Sequence, residues 1–207
     1  MSKNEETEMT ALAPEKAVPG TQPVAAESCE LFDLLDRLDL PRGYRAEIVE
    51  GSTITVSPVA SGRHQRTVRS LDLQLRPHLP AGHDAEPHLE IRMPDLGRSV
   101  IPDLFVAPVE VLNTADSVVP PDDVLLVAEV VSPGNARSDR VVKLEVYAKA
   151  AIEFYLLIDP IAGQTTLFSN PSAGRYQDRV TRDFGEKLVV PEPFGFDLDT
   201  SQFPSLS

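Results

Sequence analysis

The stretch VLLVAEVVSPG, residues 124–134, places a glutamate inside an otherwise apolar run. Val124, Leu125, Leu126, Val127, Ala128, Val130 and Val131 mark neither side of the pleat for water, so the run reads as a strand buried on both faces. An ionised carboxylate at Glu129 is costly there unless it is paired, protonated or bound to a metal. Whatever fold the chain adopts has to supply one of those three. The plainest supply is a structural ion pair with a buried arginine.

A doubly buried strand needs neighbours on both edges and cover above and below. YRAEIVEGSTITVSP reads as a hairpin, with strands near 45–50 and 53–57 about a turn at Glu50-Gly51-Ser52. GRHQRTVRSLDLQLRPHL repeats Val68, Leu71 and Leu75 on one face and predicts a helix over 62–76 that ends near Pro77. AEPHLEIRMP and IPDLFVAP predict two strands. SPGNARSDRVVKLEVYAKA predicts a loop and a helix of roughly 138–150, and IEFYLLIDP a further core strand. TTLFSN, GRYQDRV and KLVV predict short antiparallel strands. Near the N-terminus, Leu31, Leu34, Leu35 and Leu38 are spaced for a helix capped by Ser28 and stopped by Pro41. Residues 1–27, with Pro14, Pro19, Pro23 and no period, predict a disordered tail.

That order implies one domain over 28–207, a single mixed sheet flanked by helices, of α/β or α+β class. The strand–helix–strand unit over 124–159 places two neighbouring strands parallel, with a right-handed crossover.

Composition narrows the function. Cys29 is the only cysteine, which rules out an internal disulfide and, with no signal-peptide core or membrane-length apolar run, points to a cytoplasmic protein without a membrane partner. His78, His83 and His88 have no recognised zinc spacing. A net charge of −13 argues against nucleic-acid binding over the whole surface, while leaving room for a local basic groove. Arg63, Arg66 and Arg69 form a short basic stripe on the 62–76 helix, either solvated or laid along a phosphate backbone.

A second carboxylate is placed like the first. Asp103 follows Pro102 and opens the strand Leu104-Phe105-Val106. Two strands of one sheet can bring Asp103 and Glu129 to a single cation, and oxygen-only ligation selects Mg²⁺ or Mn²⁺. The alternative for Asp103 is a turn cap. Arg137, Arg140 and Lys143 follow on the next helix, within reach of a phosphate, although Asp139 and Lys143 at i, i+4 also read as an ordinary surface pair.

A proline-aspartate at a strand start and a glutamate inside the next core strand resemble the PD-(D/E)XK nuclease superfamily. More narrowly, AEIVEGSTITVSP, RHQ, IPDLFVAP, VAEVVSPGNARSDRVVKLEVYAKA and EFYLLIDP resemble, in order from Tyr44 to Asp159, the Uma-two family of bacterial domains classed with restriction endonucleases. The resemblance implies a restriction-endonuclease-like fold, with Asp103 and Glu129 as metal-binding acids and Glu47 as an additional acid. The superfamily's Glu-X-Lys departs here, since Val130 and Val131 follow Glu129; the lysine matches Lys143 on the helix. His64 matches a position where the family often carries histidine and, with Arg63 and Arg140, is a candidate substrate contact.

On this reading Asp103 and Glu129, with the Val130 carbonyl, hold Mg²⁺ or Mn²⁺, Glu47 completes the shell, and Lys143 orients the water or stabilises the transition state. The partner is DNA, bound weakly and with strong salt dependence, and a homodimer is an allowed assembly. The competing function is a nuclease fold that no longer cuts and serves as a binding or protein-interaction module. The acidic surface favours that module; the intact acids favour the enzyme.

Overall fold

The structure is a computed structural model that describes residues 24–204 apart from 114 and 116. The tail expected over 1–27 lies, up to residue 23, outside the described residues. The first helix, α1, spans Val24–Asp36 and so begins ahead of the expected Ser28 cap. Its inner face also differs from the expected leucine stripe. Among its described side chains Phe32 is the one buried, under the Arg92 guanidinium, whereas Leu34 is exposed.

The remaining elements keep the expected order, with the segment AEPHLEIRMP divided into two strands and three short strands added. A hairpin of β1 (Tyr44–Glu47) and β2 (Thr55–Pro58) leads to α2 (Gly62–Leu75), with the Ser61 hydroxyl accepting the His64 N–H at its start. Then come β3 (His83–Glu86), β4 (Glu90–Met93), β5 (Arg98–Val100), β6 (Leu104–Pro108), a single turn α3 (Val109–Leu112), β7 (Val118–Val119) and β8 (Leu126–Val130). A π-wound stretch, Ser138–Val142, runs directly into α4 (Lys143–Lys149). The chain continues through β9 (Phe154–Asp159), β10 (Gln164–Ser172), β11 (Arg175–Asp183), β12 (Lys187–Val190) and β13 (Phe196–Asp199). The C-terminal strands β10 and β11, nine residues each, are longer than their sequence segments suggest.

In place of the single sheet expected, the described strands form four: a principal mixed, six-stranded sheet ordered β11-β10-β9-β8-β6-β3, a three-stranded sheet β5-β4-β7, and the pairs β1-β2 and β12-β13. The Glu129 strand, β8, sits inside the principal sheet. It pairs antiparallel with β6 and parallel with β9, as the strand–helix–strand unit predicts. All five of its residues are buried. Alternation along β8 divides two cores. Leu126, Ala128 and Val130 pack with Val68, Leu71 and Leu75 of α2, while Val127 and Val131 pack with Tyr147 and Ile152 on the α4 side. By that alternation Glu129 falls on the α4 side. No helix among the described residues is long and apolar enough to cross a membrane.

Candidate active site

Asp103 and Glu129 lie on one face of the sheet. Leu104 pairs with Ala128 across β6 and β8, so the next residues outward, Asp103 and Glu129, share the opposite face from that pair. Both are buried, with 3% and 1% exposure. Asp103 Oδ2 accepts the Val130 N–H at 2.8 Å and lies 2.9 Å from His64 Nε2. Val130, expected to offer its carbonyl to an ion, thus meets Asp103 through its amide.

Glu129 has the partner that its burial demands, and it is a lysine. Lys143 Nζ donates to Glu129 Oε1 at 2.8 Å, and the Tyr147 hydroxyl donates to the same oxygen at 2.6 Å. Lys143 Nζ also lies 3.1 Å from Glu47 Oε1 and 3.9 Å from Asp139 Oδ1. Asp139 and Lys143 are therefore not a surface pair: both are buried within this cluster. Glu47, from the hairpin, is buried as well and accepts the Ile101 N–H at 2.8 Å. Arg45, two residues earlier on the same face of β1, reaches Asp103 Oδ1 at 3.5 Å and Glu47 Oε2 at 3.7 Å.

Four carboxylates, Glu47, Asp103, Glu129 and Asp139, thus face the two permanent cations Arg45 and Lys143. Two negative charges are left over, before any charge on His64. The acids respond to this excess. Burial, reinforced by Asp103, Asp139 and Glu47 against the pull of Lys143, pushes Glu129 up to about 8. Burial and the neighbouring acids push Asp139 up to about 6, again against Lys143. Burial also opposes the Asp103 carboxylate, but His64, Lys143 and the Val130 N–H outweigh it and hold Asp103 below its ordinary value. Lys143 stays charged: desolvation works against its ammonium, and the surrounding acids raise its pKa regardless.

Three polar atoms around the acids, Arg45 Nε, Ser57 Oγ and His64 Nδ1, are buried without a hydrogen-bond partner among the described residues. Ser57 sits directly across from Arg45 in the β1–β2 ladder. It lines a cavity of about 180 Å³ that opens onto Glu47 between Thr55, Asn135 and Ser138. In this arrangement no group of three His, Cys, Asp or Glu side chains among the described residues already stands as a metal cage.

Three expected contacts fall elsewhere. His64, expected as a substrate contact, is buried against Asp103 and holds that acid in place. Arg140, expected near a phosphate, is clamped by both Asp159 oxygens at 2.7 and 3.0 Å. Arg137 pairs with Glu50 on the surface. Arg63 is exposed on α2, as a substrate contact requires. Three residues were missed: Asp139, Tyr147 and Arg45. Asp139, Lys143 and Tyr147 stand four apart, a polar stripe on one side of the helix, and Arg45 shares the alternation of Glu47; both signals were present in the sequence.

Comparison with known proteins bears on the family and the fold. The Uma2 family model, described as "Putative restriction endonuclease", matches residues 30–201. A crystal structure from Anabaena variabilis ATCC 29413, titled as a "putative nuclease", is similar at 17% identity with a TM-score of 0.65. The alignment covers 84% of this chain and 96% of that one, and at this identity the likeness speaks for the fold. No curated protein matches the sequence.

Proposed function

Since this chain belongs to the Uma2 family, we propose that it is a metal-dependent endonuclease that hydrolyses DNA phosphodiester bonds. The observation that carries the proposal is the buried cluster of four carboxylates against two cations, whose excess, with all four acids ionised, equals the charge of one divalent ion. The donors are carboxylate oxygens, which suit Mg²⁺ or Mn²⁺. Unpartnered Ser57, His64 and Arg45 atoms beside them suit the water and phosphate oxygens that accompany such an ion.

Asp103 and Glu129 hold the ion in this scheme, with Glu47 at the mouth of the cavity as the third acid. A divalent ion at this position supplies charge neutralisation on the scissile phosphate and a lowered pKa for water. The protein's residues do the rest. His64 and the Val130 N–H fix the Asp103 carboxyl, and Tyr147 fixes Glu129. Lys143, held among Glu47, Glu129 and Asp139, orients the attacking water and meets the negative charge that develops on the phosphate. The same reading includes self-association as a homodimer, which sedimentation measures.

The test is nicking of supercoiled plasmid. The wild-type chain is expected to cut in Mg²⁺ or Mn²⁺ and stop on chelation, with Asp103→Asn and Glu129→Gln inactive. Absence of cutting by the wild type in both metals, or cutting by either variant at the wild-type rate, overturns the proposal. One observation favours the second reading, a nuclease fold kept as a binding module: the Lys143 ammonium already offsets part of the cluster's charge. That reading expects neither cutting nor divalent-ion binding.

A further inference from the structure

Away from the acid cluster, one surface departs from the acidic character of the chain. Arg63, Arg66 and Arg69 line an open groove of about 620 Å³ that continues past Ser70 to Ser201 and Gln202. No carboxylate lines it. All three arginines are exposed, because the opposite side of α2 carries the buried His64, Thr67, Val68, Leu71 and Leu75. Arg69 is tied to Asp72 at 2.9 Å, while Arg63 and Arg66 have no carboxylate partner among the described residues. In a protein of net charge −13, three guanidinium groups in one groove, two of them without a carboxylate partner among the described residues, are a local reversal of sign.

One end of the groove lies one residue from a side chain that touches the acids. Arg63 precedes His64, and His64 Nε2 lies 2.9 Å from Asp103 Oδ2. A step of three residues advances about 4.5 Å along a helix, so the stripe covers about 9 Å. That length is on the scale of the spacing between two neighbouring phosphates of one DNA strand. The lining is also informative about the form of the nucleic acid. Its aromatic residue, Phe203, is 4% exposed, so the groove offers no platform on which unstacked bases of a single strand could lie. It fits a backbone.

We infer that this groove seats the phosphate backbone of duplex DNA, with one strand following α2 and Arg63 at the end nearest His64. The inference rests on the nuclease reading and assigns a substrate-backbone contact outside the acid cluster.

Fluorescence anisotropy with a labelled 20-base-pair duplex tests it, using the full chain in Ca²⁺ across a salt series and plasmid cutting in Mg²⁺ alongside. Arg63→Ala/Arg66→Ala is expected to weaken duplex binding at least tenfold at the lowest salt. It should also flatten the slope of log affinity against log salt by about 1.8, roughly 0.9 for each lost contact. Arg175→Ala/Arg182→Ala changes net charge equally on exposed β11 positions and is expected to keep the wild-type slope. If the wild type binds and cuts while the α2 variant keeps its slope, or both variants lose slope equally, the groove is overturned and the nuclease reading stands. Tighter binding of the single strand, carried by the same arginines, overturns the duplex assignment. A wild-type chain that neither binds nor cuts overturns the nuclease reading itself, and this inference with it.

Discussion

Replacing Glu129 with Gln should make the protein more stable at alkaline pH and leave it almost unchanged near pH 5. In the folded state Glu129 titrates at about 8, against an ordinary value of 4.5. Between those values the unfolded chain has released the proton and the folded chain still holds it, so stability falls as pH rises through the window. Asp139, raised from 3.8 to about 6, adds a loss of the same sign at lower pH in wild type and variant alike. Asp103, held low, contributes only below its ordinary value of 3.8, and Lys143 only above its ordinary 10.5, so neither bends the curve between pH 5 and 9. A glutamine mimics the protonated acid: its carbonyl oxygen accepts from Lys143 and Tyr147, and it has no proton to lose. Each pKa unit is worth about 1.4 kcal/mol, so the full shift sets a ceiling of about 5 kcal/mol at pH 9. Sharing of charge among the four acids reduces this to about 2–5 kcal/mol, or roughly 5–20 °C in melting temperature for a chain of this size. Thermal melts of both proteins from pH 5 to 9, free of divalent ions, supply the measurement. Parallel curves, or a variant less stable than wild type at pH 9, refute the reasoning.

Lys143→Met leaves four carboxylates against Arg45 alone and is expected to cost about 3–5 kcal/mol in urea denaturation, with divalent ions recovering part of the loss. Tyr147→Phe removes a 2.6 Å hydrogen bond that favours the ionised Glu129. It should cost about 1–3 kcal/mol and move the rising limb of the pH–activity profile to higher pH. Arg140→Ala should leave DNA affinity within twofold of wild type, because Asp159 already holds the guanidinium; a flattened salt slope would show that Arg140 reaches phosphate. Leu71→Ala, at a fully buried contact of α2 with the sheet, should cost about 2–5 kcal/mol by chemical denaturation.

Much of this architecture is visible in the sequence because its strongest signals are local. The apolar run at 124–131 reads as a doubly buried strand, and the α2 face is marked by Val68, Leu71 and Leu75 at helical spacing. Glu129 announces a charged partner through the cost of its burial alone, although the partner is Lys143 and not an arginine. What depends on tertiary contact is hidden. Nothing local distinguishes Arg140, clamped by Asp159 nineteen residues later, from an arginine free to meet phosphate. The helix that holds the site is π-wound over Ser138–Val142, with the Lys143 N–H bonded to the Ser138 carbonyl five residues back. A helical pattern does not reveal that winding, and at i, i+4 spacing Asp139 and Lys143 fit a surface pair as readily as a buried one. On α1, Leu34 and Phe32 both fit helical periodicity, and the packing of Arg92 over Phe32 decides which is covered.

Calorimetric titration of the wild-type chain with Mn²⁺, beside Glu129→Gln and Asp103→Asn, addresses the central claim that the buried acids hold one divalent ion. Wild type is expected to bind one ion per chain, more tightly at pH 8.5 than at pH 6, because Glu129 must release its proton to coordinate. Neither variant should bind at that site. Absence of binding by the wild type, or equal binding by Glu129→Gln, would contradict the account.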